Sequence, residues 1–385
     1  MSGDNIPKRK KRRFISFIIL LVVLAILTII IVSILSNGGL GSSRLLGFFS
    51  PRTSEISVDE FNFDIGRARM FAGIDGSVAA VGTLGVKVLD AEGRETLRDS
   101  FRMNQPVISS SGDQCIAFDI GGTSVRVFNR TQVTSSIETD GTVVSASLNP
   151  NGWFCIVTQE GVGYRGIVTV YNSSGSEVYK VSLGSGFILS AELSHDNKTL
   201  AILNLIDTGS RITFYELDVE DEPINRFDYS GGLIFDVVYL QNGDVLAFST
   251  DLLFIVERSG NSRILHSFHD NRLGGYAYDK NFIALHLYDY GVGFQGQLIT
   301  FNTDGTILGE IASDREIISM SAVDNSLIIL KSDGIMFYNH ELEAFPVSAE
   351  SISAAGANRV LAISEDVAVA TNDNSAVVIR REEEQ

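Results

Sequence analysis

Ser194-His195-Asp196-Asn197-Lys198-Thr199-Leu200-Ala201-Ile202-Leu203 (SHDNKTLAIL) is a tight turn centred on Asn197 that leads into an apolar run. The same arrangement recurs as SSSGDQCIAF (Ser109–Phe118), NPNGWFCIVT (Asn149–Thr158) and LQNGDVLAFS (Leu240–Ser249). Further copies centre on Gly76, Asn281, Asn325 and, more weakly, Asp366. The turn residues Gly76, Gly112, Gly152, Asn197, Gly243, Asn281, Asn325 and Asp366 are separated by 36, 40, 45, 46, 38, 44 and 41 residues. Gly and Asn suit these places because a two-residue hairpin turn requires positive φ, which they tolerate best.

After each second strand comes a joint and then a third strand, as in VRVFNR, IVTVYN, RITFYE, LLFIVE and QLITFN, and several units add a fourth run such as EVYKVSL or RILHSF. Four short antiparallel strands at a steady period predict an all-β fold, a β-propeller. Eight turns imply about eight blades, with seven as the alternative. The last unit shows no fourth strand of its own, and ISVDEFNF (Ile56–Phe63) is placed to supply it and close the ring.

The turn Ser194–Ala201, with Asn149-Pro150-Asn151-Gly152, resembles the S-P-D-G-K-x-L-A turn of WD40-like and TolB-like propeller repeats. The G-H and W-D dipeptides of true WD40 repeats are absent. The whole chain is similar to an uncharacterised family of bacterial, single-pass, membrane-anchored β-propeller proteins. That resemblance implies topology and location but no activity.

The N-terminus carries the anchor signal. Phe14 to Leu35 is an uncharged apolar run of 22 residues, long enough as a helix to cross a hydrocarbon core of about 30 Å. It exceeds the ~7–15 residues of a secretory h-region and ends at a poor cleavage site. Lys8, Arg9, Lys10, Lys11, Arg12 and Arg13 precede it, so the positive-inside rule puts the N-terminus in the cytoplasm and the remainder outside. These cations would also meet anionic lipid at the membrane surface. The expected organisation is a basic tail over 1–13, a transmembrane helix over 14–35, a Gly/Ser-rich linker over 36–55 and an extracytoplasmic propeller over 56–385. The full chain carries −17 despite this basic tail, so the outer part is strongly acidic, which argues against a nucleic-acid partner.

FDIGGTS (Phe118–Ser124) mimics the phosphate loop of sugar kinases and actin-like ATPases. Such an enzyme requires amphipathic helices, and no helical periodicity follows Leu35. The stretch is read as the joint between the second and third strands of the second repeat, and no nucleotide is expected. Cys115 and Cys155 hold equivalent repeat positions and are expected to be free buried thiols pointing the same way round the ring. His266 and His269, spaced i, i+3 on a strand, face opposite sides, so neither metal nor other cofactor is expected. Asn129, Asn172 and Asn197 each begin an N-x-S/T acceptor pattern.

Two near-copies stand out as a binding device. Gly161-Val162-Gly163-Tyr164-Arg165-Gly166 and Gly291-Val292-Gly293-Phe294-Gln295-Gly296 lie three repeats apart on the face that carries the connections between blades. Gly161, Gly163, Tyr164, Arg165, Gly291, Gly293, Phe294 and Gln295 are the candidate binding residues, with Tyr164 and Phe294 as a clamp. The first strands of the repeats are mostly Ser, Ala and aliphatic, with Glu192 and Asp236 the acids among those compared, and no catalytic set converges. The expected function is therefore a non-catalytic binding or scaffolding module at the cell membrane, for an envelope protein or glycan. The rival is an envelope hydrolase or lyase with its site in the central channel.

Overall fold

The turns of the repeat bring strands together in groups, and a computed structural model of the chain shows how. It describes 59–345 and 356–381, apart from 68, 91, 160–165, 220–221, 270, 290–294 and 373–374. All of these belong to one unit, Ile56–Gln385. The proposed transmembrane stretch lies outside the described residues, among which no helix is long and apolar enough to cross a membrane.

After β1 (Asp59–Asn62), blade 1 holds β2 (Met70–Ile74), β3 (Ser77–Gly82), β4 (Gly85–Leu89) and β5 (Glu95–Asp99). Blade 2 holds β6 (Pro106–Ser111), β7 (Gln114–Asp119), β8 (Ser124–Phe128) and β9 (Val133–Glu138). Blade 3 holds β10 (Thr142–Leu148), β11 (Phe154–Gln159), β12 (Gly166–Tyr171) and β13 (Glu177–Leu183). Blade 4 holds β14 (Phe187–Leu193), β15 (Thr199–Ile206), β16 (Gly209–Glu216) and β17 (Asn225–Tyr229). Blade 5 holds β18 (Ile234–Tyr239), β19 (Val245–Ser249), β20 (Leu252–Val256) and β21 (Ser262–Ser267). Blade 6 holds β22 (Asn271–Tyr278), β23 (Phe282–Asp289), β24 (Gly296–Asn302) and β25 (Ile307–Ser313). Blade 7 has three strands among the described residues, β26 (Ile317–Val323), β27 (Ser326–Lys331) and β28 (Gly334–Asn339). Blade 8 holds β29 (Arg359–Ser364), β30 (Val367–Thr371) and β31 (Ser375–Arg380), and its fourth strand is β1 from the other end of the chain. Asp59 pairs with Val378 and Asn62 with Ser375, so the ring closes as the sequence suggested.

The core lies between the blades. Eight apolar clusters each join two neighbours, one of them uniting Phe63, Phe71 and Val78 near blade 1 with Leu361, Val369 and Val378 of blade 8. Each blade therefore covers both of its faces. Consequently second strands such as SVAAVG (β3) are buried at every position rather than alternating. First strands touch one another around the centre, β10 with β14, β22 with β26, β26 with β29 and β29 with β2.

Two expectations need correction. Gly76, Gly112, Gly152, Asn197 and Gly243 do take positive φ, from 58° to 88°. In the seventh unit, however, the left-handed residue is Asp324, at 49°, not Asn325, and neither Asn281 nor Asp366 is left-handed. The two thiols are free and buried, but they point opposite ways: Cys115 packs against blade 1 and Cys155 against blade 4. The turn before Cys115 has two residues, because Ser111 pairs with Gln114, whereas the loop before Cys155 has five, because Leu148 pairs with Phe154. Strand side chains alternate with period two, so an odd difference in loop length exchanges the faces. Burial pushes both thiols up to about 12, leaving them small apolar fillers.

Candidate functional site

The joints between second and third strands share one face of the ring with the connections between blades. Backbone hydrogen bonds tie them together: Met103 N–H donates to Thr83 O, Ile120 N–H to Gln105 O, Thr250 N–H to Leu233 O and Phe268 N–H to Asp251 O. In blade 2 the joint is the Gly-Gly-Thr turn. The Asp119 carboxylate accepts the Asn104 and Gln105 N–H groups at 2.8 and 2.6 Å. Gly121 N–H donates to Val143 O and Gly122 N–H to Asp119 O, so these amides are already engaged by the protein. The stretch is a hairpin turn that fastens blade 2 to its neighbours.

Of the predicted clamp, Gly161, Gly163, Tyr164, Arg165, Gly291, Gly293 and Phe294 lie outside the described residues, as do Lys8, Arg9, Lys10, Lys11, Arg12 and Arg13. Gln295 is described and exposed, and its carbonyl accepts the Asp289 N–H where blade 6 resumes. The strands flanking the two loops, β11 with β12 and β23 with β24, place both at second-to-third joints three blades apart.

What sequence reasoning missed on this face is its apolar surface. Leu84 is 55% exposed and Phe187 52%, and Ile120, Leu233, Phe235 and Ile318 are exposed as well. All six sit in the joints, the inter-blade connections or the opening residues of first strands. Five consecutive first strands carry a bulge there, skipping Val144, Leu189, Phe235, Gly274 and Ile318 in the ladder. A bulge leaves one residue unpaired and re-aims it, so Phe235 and Ile318 are turned out of the core. No single residue announces this; it depends on a register shift between strands.

Deeper in the channel, Glu192 on β14 and Asp236 on β18 are half-buried. Asp236 accepts the Tyr276 O–H at 2.9 Å and the Val237 N–H at 2.9 Å. Burial nevertheless raises its carboxyl above the ordinary range. Burial and the neighbouring Asp236 push the Glu192 carboxyl well above its ordinary value. Tyr276 packs on Phe248 at 4.3 Å and near Phe235 at 5.9 Å, so the acids are bordered by an aromatic wall.

The sequence profile of a family of unknown function, DUF5711, matches residues 57–342. No curated protein matches the chain. Among solved structures the chain is similar to the C-terminal WD40 domain of Sif2, at 12% identity and a TM-score of 0.59, covering 84% of this chain and 99% of that one. It is also similar to Saccharomyces cerevisiae Sqt1, at 11% identity and a TM-score of 0.58, covering 84% of this chain and 98% of that one. At such identities the likeness concerns the fold.

Proposed function

The chain belongs to the DUF5711 family of unknown function, and from that premise we propose that its propeller is a non-catalytic binding module for a protein partner, held at the outer surface of a membrane by Phe14–Leu35. The observation that carries the reading is the apolar surface of Leu84, Ile120, Phe187, Leu233, Phe235 and Ile318, gathered on one face of the ring. Exposed apolar side chains on a rigid scaffold mark a protein interface more often than a glycan site. The Gly-rich loops at 160–165 and 290–294 join strands that end on the same face, and their Tyr164 and Phe294 would add aromatic anchors. Asp236 is engaged by Tyr276 and Val237, which supports a structural rather than catalytic use of the channel acids.

A photo-crosslinking amino acid placed at Phe187 or Phe235 of the full chain, in its own cells, tests this. The expected result is a discrete protein adduct from both positions and none from Ile264 on the outer strand β21. Adducts from Ile264 alone, or attachment to glycan, would overturn the reading. Protease added to intact cells is expected to remove a C-terminal tag; a protected tag would refute the outer location.

A further inference from the structure

At the mouth of the channel on the loop-bearing face, the walls of blades 6, 7 and 8 part. The bulges at Gly274 on β22 and Ile318 on β26 remove one ladder partner from each strand there. The gap is a cavity of about 260 Å³ whose polar and flexible lining is Gly274, Gly275, Tyr276, Ser319, Met320 and Arg359. A Cβ on Gly274 would lie 2.1 Å from Cε2 of Tyr288, so this bulge position is kept to glycine by its contact with the neighbouring strand.

Arg359, the first residue of β29, is half-buried in this wall. Several other arginines among the described residues have carboxylate partners: Arg98 has Glu95 and Asp64, Arg126 has Glu138, Arg211 has Asp228 and Arg381 has Asp366. Arg359 makes no ion pair or side-chain hydrogen bond among the described residues. Burial pulls its guanidinium below the ordinary range, and no carboxylate among the described residues opposes the shift. A guanidinium remains charged in such a setting, so a half-dry, uncompensated cation faces the cavity. Beside it, Ser319 Oγ accepts the Val360 N–H at 3.1 Å, which leaves its hydroxyl hydrogen free to donate.

We propose that this cavity is a binding subsite for a carboxylate group, gripped by the Arg359 guanidinium with the Ser319 hydroxyl beside it. It rests on the binding-module reading and names the chemistry of what enters: an acidic side chain or C-terminus of a peptide segment. A carboxylate matches the two-pronged fork of one guanidinium. A phosphate dianion would keep a charge uncompensated inside a strongly acidic chain. Because the bulged strands open the cavity at the mouth, a segment resting on Phe235 and Ile318 can extend a side chain into it.

The test is calorimetric titration of the full chain with N-acetyl-aspartate N′-methylamide, its asparagine counterpart, acetate and inorganic phosphate. Saturable binding of the aspartate compound and none of the asparagine compound is expected. Arg359→Gln is expected to weaken binding by about tenfold or more. Gly275→Val keeps Arg359 but fills the cavity, since a Cβ at Gly275 meets only Met320 Sδ, at 3.7 Å, and it is expected to weaken binding as much. Tighter binding of the aspartate compound than of acetate assigns the site to a peptide; equal binding assigns it to a free small acid. No saturable binding, an unaffected Arg359→Gln variant, or tighter binding of phosphate would each overturn the proposal. None of these readouts needs a cellular partner, so failure here and failure of the binding-module reading are separately visible.

Discussion

At Glu192 the cost of removing a carboxylate from water creates a pH signature. Its folded-state pKa is raised, so between the ordinary carboxylate range and that raised value the native state holds a proton that the unfolded chain has released. Stability from this group is full at low pH and is lost as pH rises through the folded pKa. His286 acts in the opposite direction: burial lowers it to about 4, so its contribution is present above the unfolded histidine value and lost as pH falls toward 4. Glu192→Gln removes only the first effect. Its melting temperature is expected to match the wild type in acid and to exceed it increasingly as pH rises; a pH-independent difference would contradict the burial argument. The sequence exposed Glu192 and Asp236 as acids among small residues, because strand positions could be counted from the turns. It did not expose Asp119 as the clasp of Asn104 and Gln105, because that contact depends on how an inter-blade connection folds back. Arg359 carries no such signal, since the eighth repeat turns on Glu365-Asp366 without the Gly or Asn that marks the others.

Between strands, small differences in loop length decide what faces where. The period-two alternation is legible, but the five-residue loop before Cys155 and the two-residue turn before Cys115 cannot be distinguished by their Gly positions alone, and so the sequence predicts one side for both thiols. Third strands in several blades open on Gly for a clear steric reason. At Gly209, φ is 143° and a Cβ would lie 2.1 Å from the Tyr229 carbonyl oxygen of the adjoining strand. Gly209→Ala is expected to cost about 1–3 kcal/mol from strained backbone and a forced separation of β16 from β17, read by urea unfolding. A cost within experimental error would show that the joint relaxes freely. The closing strand makes a second demand. Phe63, 2% exposed and edge-on to Phe71 at 5.1 Å, fills the core between blades 8 and 1 just after β1. Phe63→Ala is expected to cost about 3–5 kcal/mol, as a core truncation does; a loss below about 1 kcal/mol would mean that the seam contributes little to the fold.

At the scale of the whole propeller, the described residues form a ring in which the core belongs to the interfaces between blades, and that architecture is legible because its turns repeat at a nearly constant spacing. The apolar patch is not, since it emerges from bulges in five successive blades and from connections that no motif marks. The ring also explains why the patch can persist: the inter-blade cores of the described residues hold the fold without it, so Phe187 and Phe235 remain exposed at the surface. The measurement that bears most directly on function is the affinity of the crosslinked partner for the full chain and two double variants. Phe187→Glu with Phe235→Glu changes the loop-bearing face, and Ile264→Glu with Ile307→Glu changes the outer strands β21 and β25. A loss of about a hundredfold or more for the first pair, with the second pair unchanged, is the predicted result. Equal affinity for wild type and the first pair, or loss only in the second, would contradict the assignment of the binding face.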